Sequence, residues 1–190
     1  IADTKKMVFI ADHNVPSDCP KTAASQKKMR DFAKENNIDF WEGKGVCHQV
    51  MMENYVCPGE LIFGADSHTC SYGALGAFGT GVGCTDLLYG MVTGKSWVLV
   101  PETVKFNLVG KLPEGVYARD LILTIIGTIG ANGCNYQVME FTGEGAKTLS
   151  ISERMVLCNM AVEAGAKTGI FEPDEKAIEY LEAHGRKPKD

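Results

Sequence analysis

The chain has 190 residues, 45% hydrophobic and 23% charged, with 21 Gly, 7 Pro and 7 Cys. That composition excludes disorder, collagen and coiled coil, fits one domain or two small ones, and needs no disulfide or structural metal to bury a core. With 19 basic and 24 acidic residues the net charge is −5, and no basic block exceeds Lys27-Lys28-Met29-Arg30, so nucleic-acid binding has no electrostatic support.

Along the chain, Ile1-Ala2-Asp3-Thr4-Lys5-Lys6 has neither a starting Met nor a signal pattern, so the sequence is expected to begin inside a longer one. Residues 6–10 and 61–63 are short apolar runs that predict buried strands, and residues 38–41 predict another. Between the first two strands, Ala24, Met29, Phe32 and Ala33 predict a helix over 20–36, with Ser17 and Asp18 as N-cap candidates and Asn36-Asn37 as the stop. This β–α–β alternation predicts an α/β fold of parallel strands with covering helices. After a Gly-rich stretch over 73–83, residues 85–92 predict a helix and 97–108 an extended segment with Pro101 inside it. A domain boundary is expected there, giving domains over 1–100 and 101–190. Beyond it come a helix over 118–129, a strand over 136–141 and a helix over 151–164. The last of these is preceded by capping-box spacing at Ser150 and Glu153. A final helix has Pro173 in its first turn and stops before Gly185. The longest apolar stretch, 121–131, is interrupted by Thr124, Gly127 and Thr128 and is too short to cross a bilayer, which needs roughly 20 residues.

Two predicted strands end alike, in Ala11-Asp12-His13 and in Gly64-Ala65-Asp66-Ser67-His68. Ligands of parallel α/β sheets bind beyond the carboxyl ends of strands, so both pairs are placed for catalysis. A carboxylate beside an imidazole sets its tautomer and raises its basicity, which suits proton transfer near neutral pH. The competing reading is that Asp12 and Asp66 cap local turns. Cys47-His48-Gln49 falls in the connection between strands, where a lone His is more often structural; His184, near a helix end, reads as structural too. Gly79-Thr80-Gly81-Val82-Gly83 lacks the third glycine of a dinucleotide fingerprint, since Cys84 and Asp86 stand where it would be. It reads instead as a tight loop for close backbone approach, or as backbone N–H groups meeting a carboxylate ligand. Asn159 and Glu163 share one helix face, either closing a buried network or forming part of a site. The seven cysteines, scattered singly with no Cys-x-x-Cys, point to a reducing compartment, the cytoplasm, and to core thiols.

Gly64-Ala65-Asp66-Ser67-His68-Thr69-Cys70 with its following Gly-rich run, Ala11-Asp12-His13, Val46-Cys47-His48-Gln49 and Cys158-Asn159-Met160-Ala161-Val162-Glu163 together closely resemble the aconitase superfamily. Within it they resemble the branch of 3-isopropylmalate dehydratase and homoaconitase large subunits, which implies an α/β fold of three-layer α/β/α aconitase-type domains with a mainly parallel sheet. Ser71, where aconitase itself has Asn, favours that branch. The resemblance implies a hydro-lyase that isomerises a hydroxy-di- or tricarboxylate by dehydration and rehydration, in leucine biosynthesis for the isopropylmalate type. It implies the pairs Asp12 with His13, Asp66 with His48, and Glu163 with His68, and places Ser67, Ser71 and Asn159 near substrate and cluster. The cofactor it implies is a [4Fe–4S] cluster in the complete protein, whose cysteines lie C-terminal to this stretch; none is expected on this fragment, which is expected to be inactive alone. A small-subunit partner and a small hydroxy-acid substrate follow from the same resemblance, with no nucleic acid or membrane partner. Two other readings compete: a cluster-free carboxylate-binding or scaffold protein, and a metal-dependent hydrolase using Asp12, His13, Asp66 and His68.

Overall fold

Every strand pair among the described residues, 1–188 of a computed structural model, is parallel, as expected of an α/β chain whose strands alternate with helices. Lys189 and Asp190, the end of the second expected domain, lie outside the described residues. The residues group into two compact units, Ile1–Val50 with Cys84–Trp97, and Met51–Gly83 with Val98 onward.

In the first unit β1 (Val8–Ala11) pairs with β2 (Asp39–Glu42) in the register Val8↔Asp39 to Ala11↔Glu42. The connection is α1 (Pro20–Asn36), which has the predicted bounds. Pro at its first position pre-sets the helical φ, and Asn37 ends it in the left-handed region at φ 53°, donating its N–H to Ala33 O. The N-cap is Cys19, without a side-chain hydrogen bond, and not Ser17 or Asp18, because the chain is still extended at Cys19 (φ −154°). Phe32 stacks on Phe9 with ring centroids 6.0 Å apart, and Arg30 grips Glu42 by two hydrogen bonds of 3.0 Å. α2 (Cys47–Asn54) begins in this unit and ends in the second, and α3 (Cys84–Thr93) completes the first.

In the second unit β3 (Leu61–Gly64) pairs with β4 (Phe78–Gly81), while β5 (Thr103–Asn107), β6 (Val138–Thr142) and β7 (Thr168–Phe171) form a three-stranded sheet in that order. The expected extended segment over 97–108 is strand only in β5. Covering helices are α4 (Ala118–Ile129), the short α5 (Glu144–Thr148), α6 (Ile151–Asn159) and α7 (Glu175–Ala183). The capping box at Ser150 and Glu153 is present, but the expected helix over 151–164 changes to a 3-10 helix at Met160–Ala164. Pro173, expected in the first turn of the last helix, lies one residue before its N-cap Asp174, whose carboxylate accepts from Ala177 N–H. Phe141, fully buried, stacks on Phe171 at 5.1 Å and meets Phe106 at 5.7 Å. Each such burial contributes roughly 1.5–3 kcal/mol. No helix of the described residues is long and apolar enough to cross a membrane.

Candidate active site

β1 delivers Asp12 at its carboxyl end, and the start of α2 receives it: the backbone N–H of Cys47 donates to Asp12 Oδ2 at 2.7 Å. His48, expected in an irregular connection, is the second residue of that helix and is buried. The other Asp12 oxygen lies 2.6 Å from His13 Nδ1, the carboxylate 13% exposed and the imidazole 78%. Burial alone would raise the pKa of Asp12, but the Cys47 N–H and the His13 ring favour the ionised form and hold it down at about 2. A carboxylate ionised at every physiological pH thus favours the His13 tautomer with the proton on Nδ1 and strengthens the ring as a base.

The loop after His13 turns through Asn14, at φ 52°, and is gripped from α1 by Gln26. Neither Gln26 nor Ser17, whose hydroxyl donates to the Gln26 amide oxygen, stands out as a functional residue in the sequence. The available signal is that Gln26 lies seven residues before Ala33 on the buried face of α1.

In the second unit β3 ends at Gly64, and Asp66 caps a nine-residue 3-10 helix, Ser67–Leu75, by accepting from His68 N–H at 2.7 Å. The capping reading of Asp66 is therefore met, and it also sets His68. The Nδ1 of His68 lies 3.1 Å from Ser67 Oγ and 3.7 Å from Asp66 Oδ1, while its Nε2 lies 3.7 Å from Glu163 Oε1. Ser71, fully buried, donates to His68 O at 2.7 Å and accepts from Asn159 Nδ2 at 2.9 Å. Asn159 and Glu163, on either side of the change from α6 to 3-10 helix, thus both reach the Ser67–Leu75 segment. One satisfies a buried network and the other flanks an imidazole.

Backbone approach explains the Gly-rich run, which forms β4 and not a loop. A Cβ on Gly79 would stand 2.2 Å from Thr69 O, and one on Gly81 2.7 Å from Asp66 O. The 3-10 helix is equally close to β7, since a Cβ on Gly73 would fall 1.7 Å from Gly169 O. Beside it opens a cavity of about 340 Å³ whose walls include Asp66, Ser67, Thr80, Val162 and Lys167. Lys167 is a further residue without a sequence signal; its ammonium lies 5.2 Å from the centre of the Tyr136 ring.

The cysteines do not form a cluster site. Cys57, Cys70, Cys134 and Cys158 are buried, and burial pushes the Cys70 thiol up to about 12 and Cys158 well above the usual thiol range. A cluster needs thiolates, and among the described residues no group of three or more His, Cys, Asp or Glu is placed to hold a metal ion. The residues of this stretch therefore do not fit a [4Fe–4S] ligand set, and neither unit offers a set for a metal-dependent hydrolase. His184 bonds Tyr180 O at 2.7 Å within its own helix end, as a structural residue would.

Residues 2–190 match the model of the aconitase family (aconitate hydratase). The chain is 52% identical over 189 residues to the probable 3-isopropylmalate dehydratase large subunit of Methanothermobacter thermautotrophicus, covering 98% of this chain and 45% of that protein. It is 51% identical over 182 residues to 3-isopropylmalate dehydratase large subunit 1 of Methanopyrus kandleri, covering 94% and 44%. To the 3-isopropylmalate dehydratase large subunit of Hydrogenobaculum sp. it is 50% identical over 191 residues, covering 99% and 45%. The chain spans less than half the length of these curated relatives.

Proposed function

This chain belongs to the aconitase family, and from that premise we propose that it is part of the large, catalytic subunit of a hydro-lyase that isomerises a hydroxy-di- or tricarboxylate. The substrate class in this reading is 3-isopropylmalate, as the names of its relatives suggest, and the setting is leucine biosynthesis in the cytoplasm. One observation carries the reading: in each unit a histidine just after the carboxyl end of a parallel strand stands beside a carboxylate, His13 with Asp12 at 2.6 Å and His68 with Glu163 at 3.7 Å.

Dehydration needs an acid for the departing hydroxyl, and rehydration needs the same group as a base. His13 takes that role: Asp12 holds its Nδ1 side, and its exposed ring can pass a proton to and from substrate oxygen. His68, between Ser67 and Glu163, orients the substrate hydroxyl or its water, while Ser67 lines the cavity beside it and Ser71 and Asn159 hold the His68 backbone from behind. The pair Asp66 with His48 belongs to the same proposal and rests on the family resemblance, as does the division into domains near Val100. In this family a [4Fe–4S] cluster supplies the Lewis acid for the hydroxyl. Its ligands would come from outside this stretch, and a small partner subunit would complete the site.

The test replaces His13 and His68 singly by Ala in the complete chain with its partner. The expected result is kcat below a hundredth of wild type for each variant, with thermal stability kept; a loss under tenfold in both overturns the reading. The exposed His13 imidazole, open to an anion, also suits one second reading, a cluster-free carboxylate binder. Calorimetry of the iron-free chain with malate separates the two, since only the second expects stoichiometric binding without iron.

A further inference from the structure

We infer that Gln26 is a positioning residue for His13, an assignment that rests on the role given to His13 above. His13 sits between two anchors. On one side the Asp12 carboxylate, itself fixed by the Cys47 N–H, holds the ring. On the other, the backbone leaves β1 through a loop over 13–17 that lies outside helix and strand and places Asn14 in the left-handed region. A proton donor carried on a loop is held in place by contacts from a neighbouring regular element.

Gln26 supplies them. It projects from the rigid α1, is 8% exposed, and brings one amide to three groups of the loop. Its Nε2 donates to Asn14 O at 3.0 Å and reaches His13 O at 3.5 Å, and its Oε1 accepts from Ser17 Oγ. An amide suits these contacts, which need a donor toward the carbonyls and an acceptor toward the hydroxyl; an ionised carboxylate or an ammonium offers only one of the two. The charged groups along the same groove are engaged with one another, Lys27 with Asp31 and Arg30 with Glu42, and do not replace it. The catalytic imidazole is thus carried by a clamp one helix away, and a displacement of the order of 1 Å there costs about a hundredfold in rate.

The test uses the assembled enzyme and three variants, Gln26→Met, Gln26→Glu and His13→Ala. Gln26→Met should lower kcat by roughly 10- to 100-fold with KM within about threefold of wild type. Gln26→Glu carries the sharper signature. As a carboxylate it faces two carbonyl oxygens and opens the clamp; protonated, it has again one donor and one acceptor. Its kcat relative to wild type should therefore rise as pH falls from 8 to 6, while the ratio for Gln26→Met stays flat. Should Gln26→Met fail to fold, the milder Ser17→Ala and the Gln26→Glu profile decide the matter. A Gln26→Glu ratio that is flat with pH, or Gln26→Met activity within twofold of wild type, overturns the inference while His13→Ala remains inactive. An active His13→Ala overturns the reading beneath it instead.

Discussion

The arm that carries Asp12 and His13 and the 3-10 helix that carries Asp66, Ser67 and His68 are built on opposite principles. The arm leaves a two-stranded sheet and is held by polar contacts: one backbone N–H on Asp12 and one amide on the loop. Residues 69–75 of the 3-10 helix are all buried, and glycines let it lie against β4 and β7 at distances no Cβ would allow. Packing fixes the second, so it tolerates almost no added volume. Directed hydrogen bonds fix the first, so it tolerates volume but not the loss of a donor or an acceptor.

The largest effect expected from this contrast is at Gly73. A Cβ there meets the backbone oxygen of Gly169, which has no rotamer to change, so Gly73→Ala must separate the 3-10 helix from β7. The destabilisation should exceed the roughly 1–3 kcal/mol of ordinary overpacking, and the thermal transition of the chain should fall accordingly or be lost. A variant that melts like wild type would show that the close approach is not what holds this helix.

Next comes the ion pair behind the same platform. Arg154, 1% exposed, donates to Asp174 at 2.8 and 2.5 Å and lies over the Phe171 ring. Asp174→Ala would leave a buried guanidinium unpaired and should cost about 3–5 kcal/mol by urea denaturation. Arg154→Met should cost less, because Asp174 is partly exposed and can take up water. Equal losses in the two variants would mean that the charge is not the stabilising element. The Arg154 hydrogen bonds also hold the Asp174 carboxyl below its usual range against the opposing effect of burial. This contribution is complete above the unfolded-state pKa and fades as pH falls through the folded one.

How far the sequence speaks for these regions follows the same division. Local signals mark α1 through Pro20 and Asn37, α4 over the predicted residues, and the capping box of α6, because each depends on neighbours within one turn. The residues after both strand ends are legible too, since the carboxyl edge of a parallel sheet is where side chains become available to a ligand. The Ser67–Leu75 helix and β4 are not. Phe78–Gly81 has little of the β-branched content that marks a strand, and Ser67–Leu75 has no 3.6-residue apolar stripe because it is buried on every side. Their conformation is decided by close packing on one another and, for the 3-10 helix, on β7 and α6, far along the chain. Gln26 is hidden for a related reason: a single glutamine on a helix carries no mark of the loop it serves.

The smallest effect on stability is expected in the arm, at Asp12. Its pKa of about 2 in the folded chain, against about 3.9 for a free aspartate, stabilises the fold above pH 4 and ceases to do so as pH falls toward 2. The contribution is at most about 2.6 kcal/mol, and Asp12→Asn keeps an oxygen to accept the Cys47 N–H, so less than that should be lost. In urea titrations the gap between wild type and Asp12→Asn should be widest at pH 5 to 7 and close below pH 3. Activity should behave otherwise, because an amide neither fixes the Nδ1–H tautomer of His13 nor supports a positive charge on the ring as a carboxylate does. A fall in kcat of at least tenfold beside a small loss of stability is what a site held by directed bonds requires. If Asp12→Asn instead destabilised the chain as much as Gly73→Ala, the arm would be a packed element like the 3-10 helix, and the contrast between the two would fail.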